Sequence, residues 1–409
     1  MTALDLDFVR AQFPAFTEPS LAGFLHFENA GGSYACRQVI DALEGYYRRT
    51  KVQPYYPFAP SATAGAQMDS ARTRLAAWLN AAEDEVHLGP STSQNTYVLA
   101  QAFRRHLRPG DEVIVTNQDH EANVGAWARL QDEGFTVRTW KVDPTGQLHA
   151  KDLAALLGPR TRVVAFTHCS NVVAQINPVR EITDLIHQAG AWAIVDGVSY
   201  APHGLPDVKA LGVDAYVFSL YKVYGPHLGA MYVRRELATQ LPSQAHFFKG
   251  NDLHGRFTPA GPDHAQVAAV NGVIDYMEAL AAHHGQAGQP VPQQAAAVRT
   301  LMREQEIALA GPLLRFLSAH PRVRIVGPAD ERTRAPTVAF MVDGRSSQSI
   351  GEELARQNIG VGAGNFYAYR LLQALGIDTS DGVVRASFVH YTTPAEVERL
   401  IEALDPLLR

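Results

Sequence analysis

Residues 217–233 read VFSLYKVYGPHLGAMYV, and one lysine, Lys222, lies there between two apolar stretches. Both stretches are rich in β-branched and aromatic residues, which is typical of buried strands. A buried ammonium group is costly unless it is paired, loses its proton or takes part in chemistry. Two interpretations therefore stay open. Lys222 follows a strand and extends its amine to solvent, or it is a reactive group in a site.

Four β-prone runs of the chain end in polar side chains. The runs at 111–120, 161–171, 191–197 and 214–222 lead into His120, Asn171, Asp196, Ser219 and Lys222. Helical segments alternate with these runs, which indicates an α/β fold with a mainly parallel central sheet flanked by helices. Because ligands of such sheets bind at the carboxyl ends of the strands, we expect these side chains to share one edge.

A further segment adds a possible anion site to this edge. EVHLGPSTSQNTYVLAQAF (85–103) predicts a short strand, a Gly-Pro turn and a helix, with Thr92 and Ser93 at the capping position. A helix N-terminus with free N–H groups and two hydroxyls can bind phosphate. Ordinary N-capping explains the same residues, so both interpretations stay open here.

The sequence pattern changes after about residue 270. A helical stretch at about 266–282 leads into HHGQAGQPVPQQAAA (283–297), whose composition is typical of a hinge or an exposed connection. The strands VRIVG, TVAFMV and GVVRASFVHY follow among helices and predict a small α+β domain. We expect an N-terminal segment, 1–25, that packs on the small domain, a large domain, 26–283, and a small C-terminal domain, 284–409.

Composition excludes several classes of protein. The chain has 409 residues, 36 basic and 41 acidic, and a formal net charge of −5, so it has no general attraction for nucleic acid or anionic membranes. Its start lacks the basic residues of a signal peptide, and no apolar run approaches the ~20 residues of a membrane span. Two cysteines are too few for a disulfide scaffold, and no zinc motif occurs. We expect a cytoplasmic protein with no metal site.

The residues at the strand ends suit one cofactor in particular. A lysine amine forms a Schiff base with an aldehyde, an aspartate keeps a pyridine nitrogen protonated, and a helix N-terminus binds phosphate. This set of groups matches pyridoxal 5′-phosphate (PLP), whose protonated ring withdraws electrons from a substrate Cα.

Five motifs, in order along the chain, then resemble those of one enzyme family. FENAGGS (27–33) resembles the family's Asp-Asn-Ala-Ala segment, and the lysine motif is FSLYKVYGPHLGAMYV (218–233); between them lie PGDEVIVTNQDHEANVGAW (109–127), SNVVAQINPV (170–179) and IVDGVSYAPH (194–203). The chain resembles the class V aminotransferases, which are fold-type I PLP enzymes. Within them it resembles the cysteine desulfurase and selenocysteine lyase branch.

The resemblance implies a role for each matching residue. Lys222 would be the Schiff-base lysine and would move the proton at the substrate Cα. Asp196 would pair with the pyridine nitrogen, and His120 would stack on the ring and take part in acid–base steps. The remaining implied roles are phenolic-oxygen binding by Asn171, phosphate binding by Thr92, Ser93 and Ser219, and substrate binding by Asn29 near the entrance and by Arg385 at the carboxylate. The family also implies a homodimer with residues of both subunits at each site.

The sequence departs from the family pattern at several positions. Tyr221 replaces the histidine before the lysine and can still donate a hydrogen bond to the phosphate. Ser199 replaces a glutamine, which puts its contact with the phenolic oxygen in doubt. Gly261 lies where a partner subunit's threonine is common, so Thr258 is only a substitute.

The absent sulfur-transfer cysteine is the largest departure. A desulfurase needs a nucleophilic cysteine on a C-terminal loop, and the matching stretch, VGAGNFYAYRLLQALG (361–376), contains none. Cys36, just after FENAGG, reads more simply as a small helix residue. We therefore expect no persulfide relay. The chemistry that remains is β-elimination at a C–S or C–Se bond or, alternatively, transamination with a 2-oxo acid.

Two further patterns leave alternatives open. Two loops carry aromatic residues that would either line the mouth of a substrate pocket or pack between subunits. These residues are Tyr55, Tyr56, Phe58, Phe366, Tyr367 and Tyr369.

GVGAGN (360–365) resembles part of a dinucleotide fingerprint, but Asn365 replaces its third glycine and the stretch does not follow a first strand. A nicotinamide dehydrogenase is therefore disfavoured.

Overall fold

The computed structural model describes residues 3–250 and 252–409. Its strands are β1 Leu25–His26, β2 Val86–Gly89, β3 Glu112–Thr116, β4 Thr136–Trp140, β5 Thr161–Thr167, β6 Trp192–Asp196, β7 Ala215–Ser219, β8 Gly229–Val233, β9 Val323–Val326, β10 Thr337–Val342, β11 Ile359–Gly360, β12 Gly362–Gly364 and β13 Val383–Ser387.

Helices surround these strands. They are α1 Leu6–Ala11, α2 Arg37–Arg49, α3 Ala59–Trp78, α4 Thr92–Arg104, α5 Glu121–Ala128, α6 Ala150–Ala154, α7 Val179–Gln188, α8 Val208–Leu211, α9 Arg235–Gln240, α10 His264–Ala281, α11 Val291–Ser318, α12 Ser347–Ala355, α13 Tyr369–Ala374 and α14 Pro394–Leu408. Within the described ranges, no helix combines the length and the apolarity needed to cross a bilayer.

A seven-stranded sheet forms the centre of the larger part of the chain. Its strand order is β2-β8-β7-β6-β5-β3-β4, and β8 runs opposite to the other six strands, which share one direction. The mainly parallel α/β fold predicted from the sequence is therefore confirmed. β8 is the exception because the connection at 220–228, which contains Lys222, is too short for the crossover that a parallel neighbour requires.

The two faces of this sheet bury two separate apolar cores. Along β5, Val164 and Phe166 face one core, while Val163 and Ala165 face the other. Successive side chains of a strand point to opposite faces, so a strand covered on both sides reads as an unbroken apolar run. Burial on both faces fixes the register of the strands and holds the residues that follow them in place.

A four-stranded antiparallel sheet, in the order β12-β13-β10-β9, forms the centre of the C-terminal part. Helix α11 joins the two parts: its first half packs into the large core and its second half, from Leu309, into the core of this smaller sheet. The predicted hinge at 283–297 is wrong in its second half, because helix α11 begins at Val291. A proline in the first turn of α11 is compatible with a helix start.

The N-terminal segment contacts both parts of the chain. The ring of Phe13 packs edge-on against Tyr391 of the C-terminal part and also against Tyr224 and Tyr276 of the larger part. Arg10 forms an ion pair with Glu396 at 3.0 Å. The segment thus packs more widely than on the small domain alone, and the domain boundaries stay a prediction.

Candidate active site

The carboxyl ends of the central strands surround one cavity of about 140 Å³. Its lining includes every residue that the sequence predicted to bind a cofactor: Thr92, Ser93, His120, Asn171, Asp196, Ser199, Ser219, Tyr221 and Lys222. Further lining residues are Ser91, Ala122, Thr167, Cys169, Val198 and His227.

Lys222 is buried, with 7% of its surface exposed, so its amine does not extend into solvent. Burial and the nearby charge of Arg385 together lower the pKa of Lys222 to about 8, against the opposing effect of the Asp196 carboxylate. A substantial fraction of the amine is therefore uncharged near neutral pH. An uncharged amine can act as a nucleophile or a base, which favours the second of the two interpretations of this lysine.

Asp196 ends strand β6 inside the same cavity. Burial raises the pKa of Asp196 to about 6, while a hydrogen bond from the Val198 N–H to Oδ1, at 2.8 Å, and the charge of Lys222 favour the ionised form. The carboxyl group is thus mainly ionised above pH 7. A buried carboxylate of this kind can stabilise a cationic ring nitrogen.

The start of helix α4 forms another wall of the cavity, with one correction to the prediction. The N-cap is Ser91, whose Oγ accepts a hydrogen bond from the Gln94 N–H at 3.2 Å, whereas Thr92 and Ser93 lie in the first turn. The Thr92 hydroxyl is therefore available to bond the Ser219 hydroxyl, at 2.7 Å. Hydroxyls and free N–H groups at a helix N-terminus form a site for a phosphate.

Two more predicted residues come from the ends of other strands. The pKa of His120 is lowered to about 4 by burial and by the charges of Lys222 and Arg385, so its ring is neutral at pH 7. Its Nδ1 accepts a hydrogen bond from the Ala122 N–H at 3.0 Å. Asn171 donates to the Phe366 carbonyl at 2.9 Å, and within the described chain its buried Oδ1 has no hydrogen-bond partner.

Tyr221 lies beside a histidine that the sequence analysis did not single out. The rings of Tyr221 and His227 stack with centroids 4.9 Å apart, and both residues line the cavity. His227 follows Lys222 by five residues in the same loop. Its position in the lysine motif could therefore have indicated that it lies in the site.

Arg385 reaches the site from strand β13 but already contacts a carboxylate. Its Nε lies 3.4 Å from Glu28 Oε2, and its Nη2 donates to Glu28 Oε1. Nη1 donates to the Asn171 carbonyl at 3.0 Å, and the Phe366 ring covers the guanidinium, with its centroid 3.7 Å from Cζ. This contact with Glu28 was not predicted from the sequence.

Asn29 is buried beside Lys222 in a small adjoining cavity. Its Nδ2 donates to the carbonyls of His26 and Ser387, and its Oδ1 accepts from the Tyr391 hydroxyl. Both amide hydrogens are thus used to hold the chain in place. These contacts point to a structural role and do not support the predicted contact with substrate, which stays a prediction.

The aromatic residues Phe366 and Tyr367 of the loop at 361–369 lie beside the cavity, where they contact Asn171, His120 and Arg385 without lining the cavity itself. Phe366 and Tyr367 both have left-handed backbone conformations, φ 51° and 56°. Besides the Phe366 contacts, the Tyr367 carbonyl accepts from the Glu121 N–H at 2.8 Å, and the rings of Tyr367 and His120 lie 5.2 Å apart. The main chain of this loop is therefore held against the site.

The aromatic residues of the other loop lie on the surface, away from this cavity. Tyr55, Tyr56 and Phe58 are each more than half exposed, and Tyr55 donates a hydrogen bond to Asp69. Tyr55 shares a separate surface cavity with Thr258. These residues therefore lie apart from Lys222.

Taken together, the cavity fits a planar heterocycle with an aldehyde and a phosphate. Its lining brings together a helix N-terminus with hydroxyls, which suits a phosphate, the mainly ionised carboxylate of Asp196, which suits a ring nitrogen, and the partly uncharged amine of Lys222, which suits an aldehyde. The buried Asn171 Oδ1, which has no partner within the described chain, can accept a hydrogen bond from a group bound in this cavity.

Comparison with known proteins agrees with this fit. The family model described as aminotransferase class-V matches residues 25–400. An aminotransferase-like protein of Gibberella zeae is 36% identical over 100% of this chain and 99% of its own length. A cysteine desulfurase-like protein of Aspergillus flavus is 31% identical over 99% of this chain and 91% of its own length.

A solved structure shares the fold. The cysteine desulfurase from Thermococcus onnurineus NA1 matches 100% of this chain and 99% of its own, with a TM-score of 0.87 at 22% identity. The chain therefore belongs to the aminotransferase class-V family and is a pyridoxal-phosphate-dependent enzyme, as the motifs predicted.

Proposed function

We propose that this enzyme acts at the Cα of an α-amino acid and favours β-elimination at a C–S or C–Se bond, with class V aminotransferase chemistry as the alternative. One observation carries the proposal. Lys222 and Asp196 line a single cavity beside the hydroxyl-rich start of helix α4. When bound there, PLP supplies an electron-withdrawing ring that makes the Cα proton of the substrate acidic.

The predicted cofactor-binding residues and Arg385 each have a task in this proposal. Lys222 holds the cofactor and moves the proton at the substrate Cα. Asp196 keeps the ring nitrogen protonated, and the neutral ring of His120 stacks on the heterocycle. The remaining contacts are Asn171 and Ser199 at the phenolic oxygen, Thr92, Ser93, Ser219 and Tyr221 at the phosphate, and Arg385 at the substrate carboxylate.

The state of the cysteines favours release of sulfide over its transfer to a thiol. Cys36 and Cys169 are buried, and burial raises the pKa of each thiol to about 12, so neither is a thiolate at neutral pH. The aromatic loop at 361–369 contains no thiol and is bonded to the site. With L-cysteine and water, elimination would give hydrogen sulfide, ammonia and pyruvate in equal amounts.

We also propose that the enzyme is a homodimer, with residues of both subunits at each site. Support comes from large apolar side chains on the surface of one subunit: Phe247 is 95% exposed and Phe248 69%. Adjacent exposed apolar side chains of this kind are a feature of surfaces that contact other proteins. Light scattering should give twice the chain mass. The cytoplasmic location stays a prediction.

Product analysis tests the choice between the two reactions. We would incubate the purified holoenzyme with L-cysteine or L-selenocysteine, and separately with L-alanine with and without a 2-oxo acid. Sulfide or selenide with equal pyruvate supports elimination, whereas pyruvate formed from alanine only with the acceptor supports transamination. Lys222→Ala should do neither. A holoenzyme that does neither would overturn both versions of the proposal.

A further inference from the structure

We infer that Glu28 is an internal carboxylate ligand of Arg385 that competes with the substrate carboxylate and so limits the affinity of the enzyme for amino acids. This inference rests on the proposed function, in which Arg385 receives that carboxylate. Glu28 is then a further residue that sets substrate affinity, in addition to the site residues predicted from the sequence.

The contact between the two side chains has the form of a ligand complex. Both oxygens of Glu28 face the guanidinium, one at Nε and one at Nη2. A free carboxylate binds a guanidinium in this two-point manner. The Asn171 carbonyl accepts a hydrogen bond from a third N–H group of Arg385. At most two of the five N–H groups of the guanidinium therefore remain for a substrate.

The burial of Arg385 explains why such a ligand is needed. The arginine side chain is 3% exposed, and its charge acts on the nearby Lys222. Two buried cations require compensating anions. Asp196 provides one, and Glu28 provides the other as long as no substrate carboxylate is present.

Glu28 can also give up this position. Its side chain is 28% exposed, so a route to water exists that the buried Arg385 lacks. Its backbone pairs with Ser387 beside strand β13, so the main chain would stay in place while the side chain rotates.

Two glycines keep the space around this carboxylate open. A Cβ atom added at Gly31 would lie 2.8 Å from Glu28 Oε1, and one added at Gly362 would lie 2.8 Å from Oε2. Neither position has room for a side chain while the carboxylate is there. The two glycines thus leave space for the Glu28 side chain in its contact with Arg385, and at Gly362 also for the Phe366 ring, whose Cε1 would lie 2.6 Å from an added Cβ.

A substrate carboxylate must consequently displace Glu28 or share the arginine with it against charge repulsion. In both cases the negative charge of Glu28 weakens substrate binding. Glu28→Gln keeps the size of the side chain and an accepting oxygen but removes the charge. The arginine should then bind a carboxylate more tightly.

The test uses two small ligands that differ in the carboxylate. The visible absorbance of the holoenzyme would be titrated with L-alanine, which carries a carboxylate, and with ethylamine, which does not. In Glu28→Gln the Kd for L-alanine should fall about tenfold, equal to about 1.4 kcal/mol. The Kd for ethylamine should stay within about twofold of wild type.

A matched control breaks an ion pair outside the cavity. Glu353 pairs with Arg345 on the C-terminal part of the chain, and Glu353→Gln should leave both Kd values unchanged.

The melting temperature of Glu28→Gln provides a second measurement. Without ligand, Glu28→Gln should melt at a lower temperature than wild type, because the substitution leaves Arg385 buried without a counter-ion. Saturating L-alanine should then raise the melting temperature of this variant by more than it raises that of wild type.

An unchanged or higher Kd for L-alanine in Glu28→Gln would overturn the inference, and so would an equal gain for ethylamine. If this variant does not fold, Glu28→Asp provides the test. The aspartate side chain is too short to place both oxygens on the guanidinium, so the Kd for L-alanine should fall about threefold. An unchanged Kd in Glu28→Asp would overturn the inference. A wild-type holoenzyme whose spectrum responds to neither amine would instead contradict the proposed function.

Discussion

The pKa of Lys222 leads to a prediction about how the enzyme takes up its cofactor. Only an uncharged amine attacks an aldehyde, so the rate at which cofactor-free enzyme captures PLP should follow the deprotonation of Lys222. That rate should rise about tenfold for each pH unit below the pKa and become constant above it. With a pKa of about 8, the rise should end near pH 9.

The size of the effect follows from the shift in the pKa. At pH 7 about a tenth of Lys222 is uncharged, because its pKa is lowered from 10.5 to about 8. For a lysine with the unshifted pKa this fraction is about 0.03%. Burial therefore increases the reactive fraction roughly 300-fold at neutral pH.

Rapid mixing of cofactor-free enzyme with PLP, followed by visible absorbance, measures the rate across pH. The same series with n-butylamine corrects for ionisation of the cofactor itself. In Asp196→Asn the midpoint should move below pH 8, because the carboxylate that favours the charged lysine is gone. A wild-type rate that still rises tenfold per unit up to pH 10 would refute this reasoning, as would a higher midpoint in Asp196→Asn.

Three further predictions concern other parts of the site. Asp196→Asn should keep the cofactor but lower kcat about 100-fold or more, since a neutral amide cannot stabilise the protonated ring nitrogen; a steady-state rate within tenfold of wild type would contradict this. Replacing both Cys36 and Cys169 by alanine should leave the sulfide release rate within about twofold, because neither buried thiol takes part, and a 100-fold loss would show a persulfide relay. Gly229→Ala should raise the Kd for PLP at least tenfold, because its Cβ would lie 2.4 Å from the main chain at the start of α4, whereas Gly158→Ala, with open space around it, should bind PLP like wild type.

Much of the fold could be predicted because the strand signal is local. Unbroken apolar runs that end in polar residues, such as TRVVAFTHCSN and AWAIVDG, became β5 and β6, with Asn171 and Asp196 at their carboxyl ends. The antiparallel direction of β8 and the start of helix α11 at Val291 were not predicted. The direction of β8 depends on the length of the connection that precedes it. The Gly-, Pro- and Gln-rich composition before α11 does not exclude a helix, because α11 is stabilised by packing against two cores.

The residues of the site were predicted better than their contacts. Ordered motifs identified Lys222 and the lining of its cavity, but the ion pair between Glu28 and Arg385 joins residues more than 350 positions apart. No spacing in the sequence indicates such a pair. The cap at Ser91 was missed because three consecutive hydroxyl residues, 91–93, lie at the start of α4, and only the backbone decides which of them caps the helix.

The central claim is that the cofactor is held by one particular amine. Borohydride reduction of the holoenzyme, followed by proteolysis and mass spectrometry, locates the lysine that carries it. We expect the mass of the reduced cofactor on the peptide that contains Lys222, and no such mass in Lys222→Ala. A label on another lysine, or a wild-type protein without any label, would contradict this account.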